Sequence, residues 1–254
     1  MNFNGQTALI CGGTGRVGAV IAKQLSTAGA NVVIQFHNNK SAADRIVEDV
    51  NNSGGNAAAF QADATHEPSV KQLINNALTR FGPIHILVNT VHGQFDPKTI
   101  AEMEWEDWDV HLDALKAHFL LCKNMLPVMR EQRYGRIVYI SGGLSKRLFS
   151  GCSAYTTIKA GLNGFCKTLA IEEGPYGITV NIVAPGKVVS PDNQPSTDNP
   201  EAWEEMNLQS ISKSPLRREA TSLDVAHAVL YFASNEASGI TGQTLFVAGG
   251  EIMP

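Results

Sequence analysis

The 254-residue sequence predicts an α/β fold: a parallel sheet with helices packed on both faces. Three observations carry that expectation. Short apolar runs alternate with stretches long enough to be crossover helices, the βαβ rhythm of a parallel sheet. Most of those runs are continuously apolar rather than alternating, as strands buried on both faces must be. A glycine cluster also falls directly after the first run and before a helix-like segment, where a nucleotide-binding turn would lie.

The strands read in order as TALIC (7–11), NVVIQF (31–36), AAAFQA (57–62), IHILVN (84–89), RIVYIS (136–141), ITVNIV (178–183) and TLFVAG (244–249). No internal repeat or linker divides the chain, so one domain over 1–254 is expected. The tract KVVSPDNQPSTDNPEAW (187–203) is rich in Pro, Ser, Asp and Asn and too long for an ordinary connection. Such loops are often lids, and residues 187–214 are expected to cover the substrate.

Hydrophobic residues make up 43% of the chain, charged residues 17%, and the net charge is −4. A chain of this length buries roughly 75% of its unfolded surface and needs no disulfide or metal to hold it. No Lys/Arg block dominates any segment, which argues against nucleic acid or an anionic membrane as a partner. No apolar run approaches ~18 residues, so a membrane span is not expected. Cys11, Cys122, Cys152 and Cys166 form no Cys-x-x-Cys pair and read as reduced packing residues. With no charged leader before TALIC, a cytoplasmic protein is expected.

In CGGTGRVG (11–18), Gly12, Gly15 and Gly18 permit a tight turn and close backbone approach to a pyrophosphate, while the following helix offers unpaired amides. An NAD site usually carries a carboxylate at the end of the second strand for the ribose 2′-OH. Here that strand runs into Gln35-Phe36-His37-Asn38-Asn39-Lys40. A 2′-phosphate would not be repelled, and Arg16 is in range to pair with it, with His37 and Lys40 nearby. NADP(H) is therefore expected over NAD(H), although Arg16 can also be read as a solvated helix-start residue. Asp63 and Asn89 end the third and fourth strands at the sheet's carboxyl edge. Asp63 could accept from adenine and Asn89 could hold the backbone at the crevice. Their plainer readings are a helix cap and a turn former.

Several segments now stand in order: the glycine turn 12–18, Asp63 in QADAT, Asn89 in LVNT, and Tyr155-x-x-x-Lys159 in YTTIKAGLNGF. ITVNIVAPG (178–186), PLRREATSLDVAHAVLYFAS (215–234) and ITGQTLFVAGG (240–250) follow. Over nearly its whole length the chain resembles the short-chain dehydrogenase/reductase family, in the single-domain form similar to 3-oxoacyl-(acyl-carrier-protein) reductases. The resemblance implies a Rossmann-type, doubly wound parallel sheet of seven strands and reversible hydride transfer between alcohol and carbonyl. It also implies a homotetramer or homodimer packed through the long helices after strands four and five. It places the cofactor on Gly12, Thr14, Gly15, Arg16, Val17, Gly18, His37, Asp63, Ala64, Asn89, Tyr155, Lys159, Pro185, Gly186 and Val188. The catalytic residues it implies are Tyr155 and Lys159, with Ser141 the nearest candidate for the family's serine.

The chemistry suits the residue types. Carbonyl reduction needs a hydride on carbon and a proton on oxygen. Tyr155 and Lys159, at i and i+4, share a helix face. An ammonium beside the phenol should lower its pKa from ~10, making Tyr155 the general acid, worth roughly 10²–10⁴ in rate. The plainer reading is a surface Tyr and Lys on an amphipathic helix.

Three positions depart from the family pattern. Counting back from Tyr155 puts Gly142 where the family carries its substrate-directed serine, with Ser141 one residue before and Ser145 three after. A one-residue shift in a strand reverses a side chain, so Ser141 faces away unless the loop distorts. The Asn-Asn-Ala-Gly after strand four reads Asn89-Thr90-Val91-His92, and the relay Asn of the next helix falls at Ala114 or Leu115. His92 could substitute for the serine, or could simply be a loop histidine bonded to backbone. The pocket is expected to be mainly apolar, lined by His92, Gln94, Phe95, Leu144, Phe149 and Val188. Lys146 and Arg147 are placed to attract an anionic group, though solvated surface charge explains them too. The alternative function is a nucleotide-binding module that has lost efficient catalysis and serves as a sensor or partner subunit.

Overall fold

The computed structural model of the chain describes residues 1–93, 96–146, 148–189, 208 and 211–253. Strands β1 (Thr7–Cys11), β2 (Asn31–Phe36) and β3 (Asn56–Gln61) alternate with helices α1 (Arg16–Thr27), α2 (Lys40–Asn52) and α3 (Glu67–Phe81). Then come β4 (Ile86–Asn89), α4 (Trp105–Glu131), β5 (Gly135–Ile140), α5 (Ser153–Glu173) and β6 (Ile178–Pro185). The short strands β7 (Val188–Val189) and β8 (Ala220–Thr221), α6 (Ser222–Ala233) and β9 (Thr244–Val247) complete the order.

Seven strands form one parallel sheet in the order β3-β2-β1-β4-β5-β6-β9, as the sequence predicts. The chain winds outward from β1 to β3, then returns to place β4 on the other side of β1. Strand order therefore reverses between β1 and β4, and a crevice opens beyond their carboxyl ends. β1, β4, β5 and β6 are buried at every residue, which is why they read as unbroken apolar runs.

Successive strand side chains feed opposite layers. Leu9, Val33, Leu87, Ile137, Tyr139 and Ile182 pack with Leu73, Leu121, Met125 and Leu162 from α3, α4 and α5. Ile10, Val32, Ile34, Val88, Ile140 and Val183 pack with Ile21, Leu25, Ile46 and Val229 from α1, α2 and α6. α4 and α6 open with capping boxes, Glu104 with Asp107 and Thr221 with Asp224.

Strand ends moved in places that matter. β5 closes at Ile140, so Ser141 lies in the loop rather than on the strand. β9 closes at Val247 because Gly249 and Gly250 take φ of +61° and +87°, outside any strand conformation. β6 continues through Pro185, bringing Pro185 and Gly186 to the sheet's carboxyl edge. Most of the expected lid, residues 190–207, 209 and 210, lies outside the described residues.

Candidate functional site

The glycine turn is built by close approach. Gly12 takes φ +72°, and a Cβ there would lie 2.6 Å from Thr90 Oγ1; one at Gly18 would lie 2.6 Å from the Gly12 carbonyl. Neighbouring strands pin the turn. Gln35 Oε1 accepts from the Gly12 amide at 2.8 Å while Gln35 Nε2 donates to Ala62 O at 2.6 Å. The Thr90 hydroxyl lies 2.8 Å from Cys11 O and 3.0 Å from Gly12 O. α1 then starts at Arg16 with Gly15 as its N-cap and no side-chain cap, which leaves first-turn amides available to an anion. A side-chain-free cradle at a helix start fits a dinucleotide pyrophosphate.

Of the expected cofactor residues, Gly12, Thr14, Gly15, Arg16, Val17, Gly18, His37, Asp63, Ala64 and Val188 line a crevice of about 490 Å³, together with His92. Asp63 uses Oδ1 to accept from the Thr65 amide (2.8 Å) and hydroxyl (2.7 Å), and these bonds hold its carboxyl below the usual range. Asn89 does not reach the crevice. It is fully buried, accepts from the Val91 amide at 2.9 Å and donates to His118 Nδ1 at 2.9 Å. Its bond to Val91, which lines the crevice, braces the backbone of the turn after β4. Burial pushes the His118 imidazole down to about 3, so its neutral ring serves Asn89 as an acceptor.

At the other end, α5 sets Tyr155 and Lys159 on one face, with Lys159 Nζ 5.5 Å from the Tyr155 ring centroid. The ammonium does not act on the phenol as the sequence suggests. Lys159 is 3% exposed, and Nζ donates to Tyr139 Oη at 2.9 Å and to Ile140 O at 3.1 Å. Burial pushes Lys159 down to about 7, and burial, with Cys152 adding to it, pushes Tyr155 up to about 12. Desolvation outweighs the pair attraction because the lysine is itself too buried to hold a full charge. One of its three donor directions stays beyond the Tyr139 and Ile140 bonds.

Ser141 is 4% exposed, its amide donates to Val183 O at 2.8 Å, and its hydroxyl has no hydrogen-bond partner among the described residues. Ser145 Oγ donates to Gly142 O at 2.9 Å, closing a 3-10 turn. The position that faces the phenol is 142, and it is glycine. His92 lies at the crevice end of the loop after β4, with Nδ1 2.8 Å from Gly93 O, which leaves Nε2 as the ring's acceptor face. Desolvation holds His92 below its ordinary pKa. Phe149 and Lys146 are exposed. Gln94, Phe95, Arg147 and the side chain of Leu144 lie outside the described residues.

Three neighbours carry no spacing signal and are found only in three dimensions: Gln35 under the glycine turn, Tyr139 under Lys159, and His111. The His111 ring meets Tyr155 edge-on at 5.8 Å and 87°. His111 is 6% exposed, and desolvation holds it below its ordinary pKa. Among the described residues no group of His, Cys, Asp and Glu is placed to hold a metal, and no helix is long and apolar enough to cross a membrane.

A family model described as enoyl-(acyl carrier protein) reductase matches residues 15–251. The chain is 33% identical over 249 residues to a 3-oxoacyl-(acyl-carrier-protein) reductase of Staphylococcus epidermidis, covering 98% of this chain and 99% of that protein. It is 35% identical over 251 residues to the reductase of the same name from Synechocystis, covering 98% and 97%. For the Escherichia coli K12 protein the identity is 33% across 100% of both chains. NAD+-bound xylitol dehydrogenase shares the fold with a TM-score of 0.91 at 24% identity, covering 98% of this chain and 100% of that one. A double variant of a Serratia marcescens short-chain dehydrogenase/reductase gives 0.88 at 28% identity, covering 99% of each. The chain belongs to the short-chain dehydrogenase/reductase family of oxidoreductases.

Proposed function

We propose that the protein is an NADP(H)-dependent oxidoreductase interconverting a carbonyl and a secondary alcohol, with Tyr155 as acid/base and Lys159 beside it. The observation that carries this reading is the Tyr155–Lys159 pair at the sheet's carboxyl edge, next to a glycine-cradled crevice. The nicotinamide would supply or accept the hydride. Gly12, Gly15, Gly18 and the α1 amides would hold the pyrophosphate, and Asp63 and Ala64 the adenosine end. Lys159 would use its remaining donor direction toward the nicotinamide ribose. With no carboxylate after β2 and Arg16 exposed at the crevice, a 2′-phosphate is accommodated.

The electrostatics support the reducing direction. Burial keeps the Tyr155 phenol protonated at neutral pH, the form that gives a proton to a developing alkoxide. His92, Gln94, Leu144 and Phe149 are proposed to line the substrate end under the 187–214 lid. The relatives' names point to a 3-oxoacyl thioester as the first carbonyl to try. We place the protein in a reducing cytoplasm, in keeping with four buried free thiols. A homodimer or homotetramer through α4 and α5 would cover Phe119 and Ile171, which are exposed on those helices.

The second reading, a binding module without turnover, draws on Gly142 standing where the family carries a serine, and on Ala114 or Leu115 where it carries an asparagine. A carbonyl panel that includes acetoacetyl-coenzyme A, followed by NADPH consumption, separates the two. Turnover lost in Tyr155→Phe supports the enzyme. Tight NADPH binding with no consumption across the panel, unchanged by Tyr155→Phe, supports the module.

A further inference from the structure

Gly142 has a backbone that any residue could adopt, with φ −160° and ψ 149°. Its glycine is therefore not explained by conformation, and space explains it instead. A Cβ at 142 would lie 2.6 Å from Tyr155 Oη, 3.4 Å from Cζ and 3.5 Å from Cε1. The phenol oxygen stands in the volume a side chain would need.

Both partners are packed against neighbouring groups. The Tyr155 ring is backed edge-on by His111. His111 is backed in turn by Gly93, where a Cβ would lie 2.9 Å from His111 Nδ1 and 2.7 Å from Val110 O. On the other side, the Gly142 carbonyl accepts from the Ser145 amide at 3.1 Å and hydroxyl at 2.9 Å. The preceding amide is tied to Val183 O at 2.8 Å. At Gly143 a Cβ would strike Ile252 Cδ1 and lie 3.2 Å from Pro185 O, so the loop has no slack behind it.

We propose that Gly142 is a positioning residue: the site is built around its missing side chain, which seats the Tyr155 hydroxyl, and a serine put back at 142 would displace that hydroxyl instead of completing the site. The inference rests on the reading of Tyr155 as the acid and gives the opposite sign to the family pattern, in which a serine here is an asset.

The test compares wild type, Gly142→Ala and Gly142→Ser. Steady-state reduction of acetoacetyl-coenzyme A by NADPH is measured with NADPH dissociation constants and melting temperatures. Both variants are expected to lose kcat on the order of 10²-fold, the cost of misplacing a reacting group by about an ångström. NADPH affinity is expected to hold. The second readout needs no turnover. The five tyrosines are labelled with carbon-13 at Cζ, and the Tyr155 resonance is assigned by its absence in Tyr155→Phe. That resonance should move in both variants while the other four stay. A Gly142→Ser protein as active as wild type, or a Tyr155 resonance that does not move, overturns the proposal. An inactive wild type whose Tyr155 resonance still moves in the variants upholds the positioning and removes the enzymatic reading alone. Gly142→Ala keeps the test decisive if the larger residue lowers the melting temperature.

Discussion

Lys159 donates to the Tyr139 hydroxyl at 2.9 Å, twenty residues back on the strand beneath it, while its Nζ lies over the Tyr155 ring of its own helix, 5.5 Å from the centroid. The buried amine is therefore held by the sheet. Tyr139→Phe removes that acceptor and leaves the Ile140 carbonyl alone to satisfy it. A hydrogen bond to a charged group is worth about 1.5–3 kcal/mol, and Lys159 is charged only part of the time near neutral pH, so a loss of about 1–3 kcal/mol is expected. Urea unfolding at pH 7 measures it. A variant as stable as wild type would mean the bond contributes nothing to holding the lysine.

The same amine makes stability depend on pH. Burial lowers Lys159 from 10.5 to about 7, so between those values the unfolded chain holds a proton that the native chain has released. Stability from this group then rises with pH across that window, by at most about 1.4 kcal/mol per pH unit, and is flat below it. Unfolding free energies from pH 6.5 to about 9.5, below the ordinary tyrosine range of ~10, should climb more steeply for wild type than for Lys159→Met. Parallel curves would show that Lys159 keeps its ordinary pKa.

What could be read beforehand follows from what sequence encodes. β1 and β2 occupy the same bounds in sequence and structure, since buried strands are unbroken apolar runs with abrupt ends. Tyr155 and Lys159 were visible because helical neighbours sit four apart. Tyr139 under Lys159, Gln35 under Gly12 and His111 against Tyr155 were not, because strand pairing and helix packing join residues 20 to 44 positions apart with no local signature. The missing serine was found by counting. Its consequence, a phenol standing in the vacated volume, needed coordinates. The spacing of Tyr155 and Lys159 reveals a neighbouring charge but not the burial that opposes it and pushes the phenol up.

Ser141 provides a test of that geometry. Its hydroxyl is buried and has no hydrogen-bond partner among the described residues, an arrangement that costs about 1–3 kcal/mol. Ser141→Ala should be as stable as wild type or more so by about 1 kcal/mol. Turnover should stay within about twofold, because the Ser141 hydroxyl is buried away from solvent. A fall of 10²–10³-fold, the usual cost of removing an oxygen-directed donor, would instead make Ser141 the residue that meets the substrate.

Cofactor choice turns on Arg16. It is exposed at the first position of α1 and lines the crevice together with the end of β2, whose Phe36-His37-Asn38-Asn39 run contains no carboxylate. A guanidinium pairs with a phosphate dianion but gains little from a ribose hydroxyl. Arg16→Ala should weaken NADPH binding about tenfold, or ~1.4 kcal/mol, and leave NADH within a factor of about two. The wild-type preference for NADPH should shrink as salt rises, since an exposed ion pair is screened. Fluorescence titration with both cofactors at two ionic strengths measures all three quantities. Equal losses for NADPH and NADH would assign Arg16 to the pyrophosphate they share, and a wild type that prefers NADH would remove the 2′-phosphate reading altogether.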